Sequence, residues 1–193
     1  MKWYLNRLKT MSFAELLFRI QQQIRKNNEM LFKINWFPEV STAPLPENIF
    51  KCNDFTVPEY NSIINIFGIP FDYTTEIDWH LDINSGKRFP KTYSKNIDIR
   101  SSRYGSAKFV WEINRLHFLV WICMNYKRTR NKDTLNLFIN VVNSWIQQNP
   151  YLIGVNWYSN IEVNIRIINW FFCWNILDAN SIMKDYPEFA TFV

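Results

Sequence analysis

The chain has 193 residues, with 22 Lys and Arg against 17 Asp and Glu for a net charge of +5, and 18% of it is aromatic (16 Phe, 9 Trp, 9 Tyr). A disordered chain needs few aromatics and a large net charge, so 48% hydrophobic and 20% charged residues exclude that class. Four Gly and eight Pro exclude collagen-like and low-complexity architectures, and the length suits one domain or part of a larger one.

The first predicted element is a helix opening at Ser12 with a capping-box pattern, in which Glu15 stands at N3. Phe13, Leu16, Leu17, Ile20 and Ile24 form one apolar stripe, with Arg19, Arg25 and Lys26 off it. Two uses fit a basic amphipathic helix of this kind: docking on the rest of the fold, and lying on a membrane surface. Docking is the expectation, and it defines a first region, residues 1–35. The same stretch lacks the uninterrupted apolar core and small-residue cleavage site of a secretory signal, which on sequence alone points to a cytoplasmic address.

Residues 36–105 read as an irregular arm. Pro38, Pro44, Pro46, Pro58, Pro70 and Pro90, with the turn residues Asn84, Ser85 and Gly86, break every periodic run, leaving extended segments, turns and a short helix near 59–67. Residues 106–193 read as helical hairpins. The spacing predicts a helix over Lys108–Tyr126, a polar connection over Lys127–Lys132, and a helix with Leu135, Phe138, Val142, Trp145 and Ile146 on one face. Asn149 and Pro150 end that helix, since proline disfavours helical geometry in the residue before it. A second capping box, Ser159 with Glu162, and a Tyr158–Val163 staple open the last helix. Ile161, Ile165, Ile168, Phe172 and Ile176 run down one side of it. Short connections imply antiparallel neighbours. No run is apolar enough for a transmembrane helix, because Glu162, Asn164, Arg166, Asn169 and Asn175 interrupt the most apolar one. The apolar ending at 186–193 carries no closing polar turn, which predicts a segment of a longer protein.

Charge is segregated along the chain. Residues 1–33 carry +5, residues 34–86 carry −7, residues 87–132 carry +10 and residues 133–193 carry −3. A +10 block over 46 residues either concentrates an anionic partner or forms a solvated surface. Cys52, Cys123 and Cys173 are too few and scattered for a disulfide framework or a zinc site, and the latter two read as buried thiols. His80 and His117 lack metal-ligand spacing, so neither a metal nor another cofactor is expected.

Four stretches carry a family resemblance: residues 77–90 (IDWHLDINSGKRFP), 108–115 (KFVWEINR) followed by an apolar helix, 144–150 (SWIQQNP), and 154–157 (GVNW) running into Glu162 and Arg166. Their order and separations resemble the N-terminal helical domain of the heparinase II/III-like polysaccharide lyases. The resemblance covers nearly the whole chain. It implies an incomplete (α/α) toroid of antiparallel helical hairpins, followed in the longer chain by a β-sandwich domain. It further implies β-elimination on uronate-containing glycans such as heparan sulfate, alginate or a bacterial exopolysaccharide. In that chemistry an amide or a cation offsets the uronate carboxylate, a Tyr or His removes the C5 proton, and an acid protonates the leaving oxygen. The Asn, His and Tyr of that constellation lie beyond the matched portion, so no catalytic residue is assigned here. Lyases of the family often work in the periplasm, which stands against the cytoplasmic address.

The candidate substrate-binding residues are Lys87, Arg88, Trp111, Glu112, Arg115, Asn156 and Trp157, each with a structural alternative. Arg115 either pairs with Glu112 at i,i+3 or grips a sugar carboxylate or sulfate bidentately. Asn156 and Trp157 precede a helix N-terminus, where anions and stacked sugars are favoured, and equally suit a turn with a packed indole. Lys87 and Arg88 follow a turn that exposes both. Glu162 reads as a cap, Arg166 as its partner one turn on, His117 as a satisfied core histidine and His80 as a loop hydrogen-bonder. The expected partners are an anionic polysaccharide and the remainder of a longer chain, with no nucleic acid. The competing class is a noncatalytic helical module that binds an anionic polymer or a protein. A third possibility is a folding platform only.

Overall fold

The computed structural model describes residues 10–31, 61–178 and 182–183. The chain divides into two units, Met1–Phe37 and Pro38–Val193. In the first, helix α1 spans Phe13–Leu31. The Ser12 hydroxyl accepts from the Glu15 backbone N–H at 3.2 Å, which is half of the expected capping box. The Glu15 carboxylate turns instead to Arg19, one helical turn on, at 3.0 Å.

The described part of the second unit is predominantly helical. It opens with a β-hairpin, β1 (Ile63–Ile66) and β2 (Ile69–Asp72), antiparallel in the register Ile63 to Asp72 and Ile66 to Ile69. This replaces the expected short helix near 59–67. Phe67 and Gly68 both have positive φ (50° and 93°), the geometry of a two-residue hairpin turn matched to strand twist. The Asn65 side chain caps that turn by accepting from the Gly68 N–H at 2.6 Å. A second, two-residue hairpin joins β3 (Leu81–Asp82) to β4 (Lys87–Arg88) around the expected turn residues. Between these hairpins and the helices run extended segments and 3₁₀ turns; residues 36–60 of the expected irregular arm lie outside the described residues.

Four helices follow: α2 (Ala107–Asn114), α3 (His117–Thr129), α4 (Lys132–Gln148) and α5 (Asn160–Leu177). The helix expected over Lys108–Tyr126 is therefore two helices, and the chain breaks at Leu116, where φ is +62°. A left-handed leucine costs about 1–2 kcal/mol. Full burial of its side chain, here to 0% exposure, contributes about 1.5–3 kcal/mol in the other direction. The break turns α3 into the centre of the unit, packed against both α4 and α5. Its Phe118 stacks on Tyr73 at 4.9 Å and on Trp79 at 6.5 Å, tying both hairpins to the helical core.

Helix α4 buries Leu135, Phe138, Val141, Val142 and Trp145 and stops at Asn149, as expected, although Ile146 points outward. In α5 the expected apolar stripe is largely the exposed side. Ile161, Ile168 and Phe172 are exposed and only Ile176 of that set is buried, whereas Glu162, Arg166, Asn169 and Asn175 face inward. This helix is apolar nearly all round, so hydrophobic spacing does not mark its inner face. The inner face is marked by polar partners awaiting it on α2 and its flanking turns. Among the described residues no helix is long and apolar enough to cross a membrane.

Candidate functional site

The four stretches that carry the family resemblance converge on one buried polar cluster. At its centre is the backbone carbonyl of Trp79, which accepts from the side-chain amides of Asn114 at 2.9 Å and Asn156 at 3.1 Å. Asn114 in turn accepts the Trp145 indole N–H at 2.9 Å. Asn156 also donates to Asn149 Oδ1 at 2.7 Å, and the Asn149 carbonyl accepts the Trp157 indole at 3.2 Å. The Trp79 indole donates to Ser144 at 3.0 Å. Turn, helix α2, the end of α4 and the turn before α5 are thus cross-linked by short amides. Buried polar groups of this kind are stable only when partnered, so each member fixes the position of the others.

Arg166 completes the cluster from α5. Its Nη2 donates to the Asn156 carbonyl at 2.6 Å and its Nη1 lies 3.5 Å from the Asn114 carbonyl. Its guanidinium sits over the rings of Trp145 and Trp157, at 5.1 and 5.6 Å from their centroids. Burial pulls its pKa down to about 10, with the charge of Glu162 opposing, so it remains a cation at neutral pH. Arg166 therefore does not pair directly with Glu162 as the sequence suggested.

Glu162 is buried and receives Arg115 instead, in a two-point pair with Nε at 2.8 Å and Nη2 at 3.1 Å. The remaining Nη1 of Arg115 donates to Glu112 at 2.5 Å, the expected i,i+3 pair. The hydrogen bonds it donates to Glu162 raise the Arg115 pKa above its ordinary value, against the opposing effect of burial. The second capping box is not formed: the Ser159 side chain makes no capping hydrogen bond, and Glu162 is committed across the fold. With Arg115, Arg166, Glu112 and Glu162 grouped together, the charges balance and the guanidinium fork of Arg115 is filled by carboxylates.

Of the other candidates, Asn156 and Trp157 belong to this cluster, and Trp111, Lys87 and Arg88 lie outside it. Asn156 is fully buried, with its Oδ1 unpartnered. Trp157 is partly buried against Tyr151 and Trp145. Trp111, also partly buried, donates to the Val155 carbonyl at 3.0 Å and stacks on Tyr158. Lys87 and Arg88 are exposed on β4, as the turn predicts. Lys87 donates to the Ser102 carbonyl at 2.8 Å, and Arg88 pairs through Nε with Asp78. His117 is not a core residue: it is exposed at the start of α3, where Nδ1 lies 3.1 Å from Asn169 Nδ2. Cys123 and Cys173 are buried free thiols, as expected, while Cys52 lies outside the described residues.

Beside the cluster opens a cleft of about 650 Å³ lined by Glu76, Ile77, Asp78, His80, Arg88, Phe89, Lys91 and Gln148. His80 forms the loop hydrogen bond expected of it. Its Nε2 lies 2.9 Å from the Gln148 carbonyl, and because a carbonyl only accepts, the ring proton sits on Nε2. Burial, with the nearby Lys91 charge, lowers the His80 pKa, and Nδ1 is left buried without a donor. Asp78 is pushed up by burial. The hydrogen bonds and charge of Arg88 and the His80 N–H outweigh this and hold it below its ordinary value. Of the lining residues only Arg88 and His80 had been singled out from sequence, and His80 chiefly for its loop hydrogen bond. Gln148 is 57 residues from Lys91, and no local spacing announces that they share a wall. Among the described residues no group of His, Cys, Asp and Glu could hold a metal ion. Comparison with protein-family models, curated proteins and solved structures gives no match.

Proposed function

We propose that this chain is the N-terminal part of a polysaccharide lyase that cleaves an anionic, uronate-containing glycan by β-elimination. In this reading α2–α5 begin an incomplete (α/α) toroid of antiparallel hairpins. The groups that remove and deliver protons belong to sequence beyond residue 193. The observation that carries the reading is the convergence of the four resembling stretches. Residues 77–90, 108–115, 144–150 and 154–157 with Arg166, far apart in the chain, supply the three asparagines, three tryptophans and Arg166 that hold one another in place. The resemblance assigned these stretches to one domain on order and separation alone, and their meeting in one cluster is what supports the reading.

The chemistry of the exposed surface agrees with this. Lys87, Arg88, Lys91, Arg100, Arg103 and Lys108 lie at the surface between β4 and the start of α2, within the basic block. Such a segment attracts a polyanion over distances comparable to the Debye length, about 8–10 Å at ordinary salt. On this reading the 193-residue chain alone is expected to be inactive, because the proton-transferring groups are not among its residues. The test is ultraviolet absorbance: a chain extended by its downstream reading frame generates an unsaturated uronate from heparan sulfate, alginate or a host exopolysaccharide. No absorbance with any of these removes the lyase assignment. A second reading, a noncatalytic module for a protein partner, is favoured by the exposed Ile161, Ile167, Ile168, Phe171 and Phe172 on α5. Tight binding to a partner protein with no affinity for acidic glycans would select it.

A further inference from the structure

We propose that the cleft between the β3–β4 hairpin and the end of α4 is a binding subsite for one or two units of an acidic saccharide. Its floor is Ile77, His80 and Phe89, all buried, and its rim carries Arg88 and Lys91 on one side and Glu76 and Asp78 beside them. The volume of about 650 Å³ falls within the roughly 300–1,000 Å³ of small-molecule sites.

The donors and acceptors of this rim define the ligand. Arg88 is held to Asp78 through Nε, so its two Nη groups are left to donate to an anion, and Asp78 fixes the direction in which they do so. Lys91 adds a second, mobile cation. Gln148 spends its Nε2 on the Ile77 carbonyl at 3.0 Å and on Ser144 at 3.4 Å, which leaves Oε1 to accept. Glu76 and Asp78 only accept. A ligand that satisfies this rim must bring one carboxylate or sulfate for the cations and several O–H donors for the acceptors. Acidic sugars carry both on each ring. Inorganic polyphosphate brings negative charge without such donors, whereas nucleic acid carries donors on its bases, so the oligothymidylate in the titration below separates it from acidic sugars. Choosing a polymer of such sugars rests on the reading proposed above, whereas the cleft's chemistry does not depend on the reaction.

The test is calorimetric titration of the 193-residue chain with a heparan sulfate tetrasaccharide, an oligoalginate tetrasaccharide, a neutral cello-oligosaccharide and an oligothymidylate. Lys91→Glu and Arg88→Gln are each expected to weaken binding of at least one acidic sugar tenfold or more. Lys132→Glu is the charge-matched control. It stands at the other end of α4 from Gln148, roughly 24 Å away at 1.5 Å per residue. This control is expected to change affinity less than twofold, with thermal melting confirming that all three variants fold. The subsite is overturned by equal losses in all three variants, by no loss in the first two, by preference for the oligothymidylate, or by no binding of either acidic sugar. Binding that depends on Lys91 while an extended chain makes no unsaturated uronate retains the cleft and removes the lyase. The converse result removes the cleft alone.

Discussion

Gly154 shows how closely single residues are constrained here. Its φ is +88°, and a Cβ added there would lie 2.5 Å from His80 Cε1. Gly68 has a similar φ of +93° but open space around the missing Cβ. Gly68→Ala therefore measures backbone strain alone and is expected to cost about 1–2 kcal/mol. Gly154→Ala adds the displacement of a buried ring and is expected to cost about 3 kcal/mol or more. Urea unfolding of the two variants checks the difference; equal losses would mean that His80 is not packed on Gly154. His80 also makes stability pH-dependent. Its folded pKa lies below the ordinary 6.5, so in the interval between the two values the unfolded chain binds the proton and the folded chain does not. Its contribution is whole above pH 6.5 and is lost as pH falls toward the folded value. Denaturation midpoints of wild type should decline over that interval and those of His80→Gln should not. A decline shared by both would assign it to other groups. The depressed Asp78 and Asp82 lose their contributions only at more acidic pH, below their ordinary value of 3.8. At this scale the sequence announced the turn at Asn84–Gly86 and the Glu112–Arg115 pair because both are local. It did not announce that Arg115 reaches Glu162, 47 residues away, since a competing local explanation for Glu162 (the capping box) was available.

Among the elements, α5 tests the balance between polar and apolar burial. Its inward face carries Asn169, whose amide donates to the Arg115 carbonyl at 2.7 Å, while Ile168 next to it is 53% exposed. Ile168→Glu in the 193-residue chain is expected to alter stability by no more than about 0.5 kcal/mol. Asn169→Ala is expected to cost about 1–3 kcal/mol, because a part-buried carbonyl loses its donor. Chemical denaturation of both variants gives the comparison, and the reverse order would mean that α5 is turned the other way. Helix α4 was legible because its apolar residues recur on one face and Asn149–Pro150 ends it. The single helix expected over Lys108–Tyr126 was not, since nothing in the local pattern marks Leu116 as left-handed. Its conformation is set by the buried pocket that receives its side chain. The β1–β2 hairpin was missed for a related reason: an Ile-rich run of four fits either element, and Phe before Gly is an unusual turn pair. The Phe67 ring meets Phe109 edge-on at 5.3 Å, a tertiary contact that offsets the backbone cost.

For the molecule as a whole, the mainly helical character of the described residues followed from helical periodicity. The polar cluster was not anticipated, because its members are up to 87 residues apart and short-range spacing carries no information about them; Asn156 and Trp157 were read as ligand contacts and Arg166 as the partner of Glu162. The cluster is a framework: Asn114 and Asn149 spend their side-chain polar atoms on neighbouring groups, Arg166 donates to backbone carbonyls, and Asn156 spends its amide N–H groups while its Oδ1 is unpartnered. The basic rim and the cleft remain open for a ligand. In the function proposed above, this division gives a buried framework beneath a charged margin that binds the glycan while other groups carry out the chemistry. The most direct measurement is the mass of the products released from a defined uronate oligosaccharide by a chain extended past residue 193. Elimination gives fragments whose masses add up to that of the substrate, one of them bearing a double bond, and this is the expected result. Fragments that together exceed the substrate by one water would show hydrolysis and contradict the account.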